Sequence, residues 1–240
     1  MRLASLYSGG KDSTFSLYLE EQMGHDVPYL VNIVPEDSAS WIFHTPNLSV
    51  VPLMAQAMDK ELITARSTGT EEGDMEGLTA ALDGLDVDGV ITGAVWSDYQ
   101  WDRMNLVCHD LGLKVFSPLW RKDQDLVMEA FLQSGIRAII VGCYAEGLGQ
   151  EWLGRELNRE TVDELKRIRE RTGISIMGEG GEYESMTLDS PMHSHPIEIV
   201  SSEVVWKRDN GTLNVTSARF RERSRLEAPH PQCVGHHRYG

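Results

Sequence analysis

The chain has 240 residues and a formal net charge of −15, from 22 basic and 37 acidic side chains. A surface this acidic repels nucleic acid unless basic residues are concentrated locally, which disfavours direct binding of DNA or RNA. No apolar run approaches the length of a membrane span, and the first residues read as a strand and not as a signal peptide, so we expect a cytoplasmic protein without a membrane partner.

Two glycines, a lysine and two serines follow the first predicted strand. The apolar run 2–7 leads into Ser8-Gly9-Gly10-Lys11-Asp12-Ser13, and an amphipathic stretch at 13–23 follows. Glycines let backbone N–H groups approach an anion, a helix start adds the positive end of its dipole, and the lysine and hydroxyls donate further bonds. This order predicts a phosphate-binding loop; the alternative is a Gly-Gly turn that carries a lysine by chance. It is not a Walker loop, because Ser5 stands where that motif requires its first glycine.

Strand-like and helix-like segments alternate through the first 143 residues. The predicted strands are 2–7, 28–34, 61–65, 88–92, 114–116 and 137–142, and the predicted helices are 13–23, 49–58, 71–83, 97–112 and 123–134. Short apolar strands separated by helices are typical of a doubly wound, mostly parallel α/β sheet, which binds ligands at the carboxyl ends of its strands. We therefore predict a nucleotide-binding domain over residues 1–143, with the loop at 8–13 in its site.

The pattern changes after this domain. A charged helix at 158–172 and β-like runs near 197–207 and 212–220 predict a smaller α+β domain over 144–220, followed by a polar tail at 221–240. The three cysteines lie far apart and form no Cys-x-x-Cys pair, so neither a disulfide framework nor a structural zinc site is predicted.

A second candidate site element is the segment Gly178-Glu179-Gly180-Gly181-Glu182-Tyr183-Glu184-Ser185. Like charges this close are costly unless a cation or the solvent compensates them. The three carboxylates could coordinate Mg²⁺, capture an ammonium-type cation or act as a base on an amine. The alternative is a solvated acidic turn.

These two motifs together resemble a known family. SGGKDS resembles the pyrophosphate loop of the N-type ATP pyrophosphatases, enzymes of a HUP-like fold that split ATP into AMP and pyrophosphate. With the late segment the chain resembles the diphthine–ammonia ligase family, whose late motif is usually GEGGEYET; Ser185 replaces its threonine and keeps the hydroxyl. The resemblance covers roughly residues 1–190, and its intermediate matches are His44-Thr45-Pro46-Asn47, Tyr99-Gln100-Trp101-Asp102-Arg103, Ser117-Pro118-Leu119-Trp120, Gly147-Leu148 and Trp152-Leu153-Gly154.

The resemblance implies an ATP-dependent amidation of the diphthine carboxylate on elongation factor 2. Ammonium would be the nitrogen donor, an acyl-adenylate the intermediate, and AMP and pyrophosphate the products. ATP and Mg²⁺ are the implied cofactors, and Asp12 is assigned to Mg²⁺ or to orienting the loop. Elongation factor 2 carrying diphthine is the implied partner, and a homo-oligomer is left open.

The implied residue roles follow the motifs. The nucleotide-binding residues are Ser8, Gly9, Gly10, Lys11, Asp12, Ser13, His44 and Arg103. The substrate-binding residues are Tyr99, Gln100, Trp152, Glu179, Gly180, Gly181, Glu182, Tyr183 and Glu184. The catalytic residues are Lys11, Asp12, Glu182 and Glu184.

Some of these roles have structural alternatives. Gln100 and Arg103, at helical spacing, can share one face, where Arg103 would hold the α-phosphate or the substrate carboxylate unless it is a surface arginine. His44 would edge the nucleotide pocket or stabilise a turn. Diphthine also carries a trimethylammonium group, which aromatic faces would hold. The candidate aromatics are Tyr99, Trp101, Trp120, Trp152 and Tyr183, and core packing is the alternative for each.

Two rival functions use the same loop. One is another AMP-forming enzyme of this fold, such as a tRNA-modifying one, which the acidic balance and the lack of a catalytic cysteine pair disfavour. The other is a regulatory module that binds ATP or AMP without catalysis, which the intact Lys11-Asp12 pair and the acidic segment disfavour.

Overall fold

A computed structural model of the chain describes residues 1–35 and 47–223, apart from the side chains of residues 99 and 100. His44 and most of the predicted tail therefore lie outside the described residues. In chain order the first elements are β1 (Arg2–Leu6), α1 (Lys11–Gln22), β2 (Asp26–Pro35), α2 (Val51–Ala57), β3 (Glu61–Ser67), α3 (Glu71–Leu82), β4 (Gly89–Ile91), α4 (Asp98–Asp110) and β5 (Lys114–Phe116).

These first five strands form one sheet in the order β3-β2-β1-β4-β5, with every neighbouring pair parallel. The predicted doubly wound parallel α/β fold is thereby confirmed. Successive residues of a strand face opposite sides of the sheet, so Leu3 packs in a core with Met54 of α2, whereas Ala4 packs in a core with Leu78 of α3. Because helices cover both faces, both sets of side chains are apolar.

The rest of the chain forms a second sheet and two helices. In chain order the elements are α5 (Gln124–Gln133), β6 (Arg137–Cys143), α6 (Arg159–Thr172), β7 (Tyr183–Asp189), β8 (Ile197–Lys207) and β9 (Asn210–Phe220). The strand order is β7-β6-β9-β8, and all neighbours are antiparallel. Helix α6 and strands β7 to β9 lie within 144–220, where the smaller α+β domain was expected, whereas α5 and β6 lie within the range expected for the first domain.

One strand differs from the expected grouping. Strand β6 was expected to close the first domain, yet it pairs with β7 and β9 in the second sheet. All but its first residue are buried, and a run that is buried on both faces reads alike in a parallel sheet and in the middle of an antiparallel one. No helix within residues 1–35 and 47–223 is long and apolar enough to cross a membrane.

Candidate active site

A cavity of about 620 Å³ lies at the carboxyl ends of β1 and β4. These strands are neighbours from which the chain proceeds to opposite edges of the sheet, since β2 lies beyond β1 and β5 beyond β4. Doubly wound sheets bind their ligands at such a switch point. Residues from 6–13, 31–33, 92–97 and 177–185 line the cavity, so both sheets contribute to it.

The phosphate-binding loop predicted at 8–13 lies on the cavity wall. Gly9 has a φ of +81°, and a Cβ there would come within 2.8 Å of the Met54 sulfur, so this position requires glycine. Gly10 is the N-cap of α1 and has no side chain to bond the first-turn N–H groups. The hydroxyl oxygens of Ser8 and Ser13 lie 3.2 Å apart at the same helix end. Hydroxyls and a helix N-terminus together suit phosphate oxygens.

The late acidic segment meets this loop through strand β7. The Lys11 N–H donates to the Ser185 hydroxyl at 3.1 Å, and the Thr187 N–H donates to the Gly9 carbonyl at 2.9 Å. The hydroxyl oxygens of Thr14 and Thr187 lie 3.0 Å apart. The edge of the second sheet therefore continues directly onto the loop of the first.

Lys11 connects the same two segments through its side chain, which is only 3% exposed. Its ammonium donates to Asp12 Oδ2 at 2.6 Å and to the Met177 carbonyl, and it lies 5.2 Å from the centre of the Tyr183 ring. Burial by itself would lower the pKa of Lys11, but Asp12, Tyr183 and Glu179 outweigh it and hold the pKa above its ordinary value. Lys11 is therefore a fixed positive charge in the cavity at neutral pH.

Two carboxylates on the cavity wall have raised pKa values. Burial is the main reason that the pKa of Glu179 and of Glu184 rises to about 7; Asp12 adds to the rise, and Lys11 opposes it. Glu179 Oε2 also accepts a hydrogen bond from the Trp96 N–H at 3.1 Å, which holds it at the end of β4. A carboxyl group with a pKa near 7 can exchange a proton at physiological pH, as a general base must.

Glu182, expected among the catalytic residues, has a different setting. Its Oε1 accepts from the Ser175 N–H and its Oε2 from the Gly180 N–H, both at 2.8 Å. Among the described residues that line the cavity, Glu182 is absent, whereas Gly180 and Gly181 are present. Its carboxylate closes the turn that carries Glu179.

Most of the aromatic side chains that were expected to bind the substrate contact other residues of the protein. Trp152 is 1% exposed and packs in the core beneath the second sheet, with the Arg155 guanidinium 4.2 Å from its ring centre. Tyr183 lines the cavity, but its hydroxyl donates to the Ile176 carbonyl at 2.7 Å. The rings of Trp101 and Trp120 stack on each other with centroids 5.3 Å apart.

Helix α4 carries the other residues that were expected to bind substrate or nucleotide. Tyr99 and Gln100 lie in its first turn, and their side chains fall outside the described atoms. The Arg103 guanidinium hydrogen-bonds the Glu71 carboxylate at the start of α3 and is not among the described residues of the cavity wall. The next residue, Met104, does line the cavity.

Several lining residues were not predicted. Thr92 and Ala94 follow β4 directly, and Leu6 and Met104 give the cavity an apolar side. A signal for the first two existed, because residues just after the strand beside β1 must lie at the switch point. The Met177 carbonyl that binds Lys11 is a backbone group, which leaves no mark in the sequence.

No group of three or more metal-ligating His, Cys, Asp or Glu side chains occurs within 1–35 and 47–223. Asp12 lies on the cavity wall, with its Oδ2 2.6 Å from the Lys11 ammonium. A protein site that holds Mg²⁺ through one carboxylate is usual where the substrate phosphates complete the coordination.

The family models that match this chain and its similar relatives indicate the same family. Models for the N-terminal and C-terminal domains of diphthamide synthase match residues 1–115 and 123–220. The chain is 35% identical to the diphthine–ammonia ligase of Danio rerio and 33% identical to that of Homo sapiens. The first match covers 92% of this chain and 94% of the relative, and the second covers 92% and 91%.

Two further likenesses differ in extent. The diphthine–ammonia ligase of Schizosaccharomyces pombe is 35% identical over 85% of this chain, which spans only 37% of that longer relative. A crystal structure of a predicted subunit of tRNA methyltransferase from Methanocaldococcus jannaschii aligns with a TM-score of 0.42 and 12% identity, over 79% of this chain and 99% of that one. A likeness at that level does not bear on function.

Proposed function

Because the chain belongs to the diphthamide synthase family, we propose that its cavity carries out the ATP-dependent amidation of diphthine on elongation factor 2. A carboxylate is unreactive toward an amine, since oxide is a very poor leaving group. Attack of the diphthine carboxylate on the α-phosphorus of ATP releases pyrophosphate and gives an acyl-adenylate. Ammonia then attacks the carbonyl carbon, and AMP leaves as the amide forms.

The activation step belongs to the loop at 8–13. Ser8, Ser13 and the glycine backbone offer donors to the departing pyrophosphate, and Lys11 adds a buried positive charge. Donors that are already oriented stabilise charge as it develops on the leaving group. Asp12 is the side chain that would hold Mg²⁺ together with the phosphates. The apolar side at Leu6 and Met104 suits the adenine base.

The amination step belongs to the acidic segment. Ammonium must lose a proton before its nitrogen can attack, and the adduct must lose another. Glu179 and Glu184 face the same cavity as Lys11 and have pKa values of about 7, so each can accept such a proton near neutral pH. Glu182 acts in this proposal by positioning the turn that carries Glu179.

A single observation carries the proposal. The phosphate-binding loop and the acidic segment are more than 160 residues apart in the sequence, yet the backbone and side chain of Lys11 hydrogen-bond to Ser185 and Met177. A nucleotide on the loop is thus beside the carboxylates. A module that only senses ATP has no need of bases there.

The test is an amidation assay with the full chain. The protein is incubated with ATP, Mg²⁺, ammonium and elongation factor 2 whose diphthine content has been verified by mass spectrometry. We expect the modified peptide to change in mass by the conversion of a carboxylate to an amide, with one AMP released per amide. Unchanged peptide mass on a verified substrate would overturn the proposal.

Variants separate the two half-reactions. Lys11→Ala is expected to abolish AMP and amide formation together, because it removes charge from the activation step. Glu184→Gln is expected to slow amide formation more than the isotope exchange between pyrophosphate and ATP. An ATP sensor would bind nucleotide without pyrophosphate release, and another AMP-forming enzyme would release it without amidating this substrate.

A further inference from the structure

Two aromatic residues beside the acidic segment have no role in the reaction proposed above. Among the described Phe, Tyr and Trp residues, Trp96, 48% exposed, and Tyr144, 38% exposed, are the most exposed to solvent. They come from different sheets and lie more than forty residues apart in the chain. The backbone N–H of each residue donates a hydrogen bond to the acidic segment.

Trp96 lies on the β4 side of that segment. Its N–H donates to Glu179 Oε2 at 3.1 Å, so its backbone is held against a carboxylate of the cavity. The residue that follows it, Ser97, lines the cavity. Trp96 itself, like Tyr144, is not among the described residues of the cavity wall, so it lies beside the cavity, with 48% of its surface exposed.

Tyr144 lies on the β6 side. Its N–H donates to the Glu182 carbonyl at 2.9 Å. Its ring covers Gly142, because a Cβ at Gly142 would lie 2.6 Å from the Tyr144 hydroxyl oxygen. Gly142 is the direct cross-strand partner of Glu184 on β7, and opposing residues of an antiparallel pair face the same side. The Tyr144 ring therefore lies on the face of the sheet toward which Glu184 points.

Three of the aromatic residues expected to bind the substrate cation, Tyr183, Trp120 and Trp152, already have protein cations against their rings. The Lys11 ammonium lies 5.2 Å from the ring centre of Tyr183, and the Arg121 guanidinium 5.4 Å from that of Trp120. Trp152 has Arg155 in the same position and is almost fully buried. A ring face that holds one of the protein's cations is not available to a substrate cation.

We propose that Trp96 and Tyr144 bind the quaternary ammonium group of the protein substrate, with Glu179 and Glu184 as the neighbouring negative charges. This inference rests on the proposed function, which supplies the trimethylammonium of diphthine. Such a group has no N–H to donate, so aromatic faces and nearby negative charge are the means of recognising it.

The test compares Trp96→Leu, Tyr144→Leu and Tyr144→Phe in the amidation assay. We expect each leucine variant to raise the KM for diphthine-bearing elongation factor 2 about tenfold. Tyr144→Phe keeps the ring and is expected to stay near wild type. ATP affinity, measured by calorimetry, monitors the fold of each variant. Leu106→Ala, at a side chain that is 50% exposed and not on the described cavity wall, is the matched surface control.

Tetramethylammonium chloride gives a second readout, with sodium chloride at equal ionic strength as its control. It should compete with the protein substrate in the wild type and in Tyr144→Phe, and about tenfold less well in the leucine variants. If both leucine variants keep the wild-type KM and inhibition within about twofold, the inference is overturned while the amidation stands. If the wild type fails to amidate verified substrate, the proposed function itself fails.

Discussion

Glu184 illustrates how single residues prepare this cavity for chemistry. Its carboxylate shares the cavity with Lys11, Asp12 and Glu179, and burial is the main reason that its pKa rises to about 7. Below that pH the carboxyl group is protonated and cannot accept a proton. Above it, the group is ionised and can act as a base.

A pH dependence follows for the amidation rate. We expect kcat/KM to fall as the pH drops below about 7, because the base form of Glu179 or Glu184 is lost. Glu184→Gln should lower the rate roughly 100-fold, the usual contribution of a general base. The measurement is the amidation rate from pH 5.5 to 9 at saturating ATP.

Glu182→Gln serves as the control for that profile. Its carboxylate bonds Ser175 and Gly180 and is not on the described cavity wall, so the variant is expected to lose rate without moving the inflection. A Glu184→Gln enzyme that kept the full wild-type rate and profile would contradict the role of Glu184.

At this scale the sequence predicted residue types better than residue roles. The glycines, lysine and serines of 8–13 carry their chemistry in their identity and order, and all but Gly9 line the cavity. Glu182 could not be distinguished from Glu184 beforehand, because its partners are backbone N–H groups. Trp96 lies outside any motif, and only its contact with Glu179 marks it.

Among the elements, β7 departs most from expectation. No strand was expected between residues 142 and 197, yet the acidic segment that starts at residue 178 becomes a strand at Tyr183. The residues that follow are Glu184, Ser185, Met186 and Thr187, and the hydroxyls of Ser185 and Thr187 find partners at the start of α1. The strand thus depends on contacts that are distant in sequence, which local propensity does not register.

The Ser185 hydroxyl is expected to stabilise this junction. Replacing it leaves the buried Lys11 N–H without its acceptor, which costs about 1 to 2 kcal/mol. Ser185→Thr keeps the hydroxyl, and Ser185→Val has the same shape as threonine without it. We expect the valine variant to be less stable than the threonine variant by that amount in urea unfolding. Equal stabilities would show that the hydrogen bond contributes nothing.

The remaining elements could be predicted to the extent that their patterns are local. Five parallel strands and helices α1 to α6 were expected within a few residues of their observed ends. Sheet membership is a different matter, since β6 carries no periodicity that separates the two sheets. Antiparallel pairing with β7 and β9 decided its place.

At the scale of the whole molecule, the two sheets meet at the predicted phosphate-binding loop, residues 8–13. The Thr187 N–H of the second sheet bonds the Gly9 carbonyl of the first. We therefore expect a ligand on the loop to stabilise β7, because opening of this junction would have to release the ligand first.

Hydrogen exchange can measure that coupling. With a non-hydrolysable ATP analogue at about 100 times its Kd, we expect exchange in a peptide containing Thr187 to slow by up to about 100-fold. The hairpin tip at Arg208 and Asp209 should be unchanged. Protection confined to residues 6–13 would contradict the coupling between the sheets.

Asn47 makes the second sheet depend on the first part of the chain. Its side-chain amide donates to the Leu213 carbonyl and accepts from the Val215 N–H, so it continues the ladder of β9 where pairing with β6 stops. A fragment that began after the first sheet would lack Asn47 and leave the Leu213 carbonyl and the Val215 N–H of β9 without these partners, and unpaired strand edges invite aggregation.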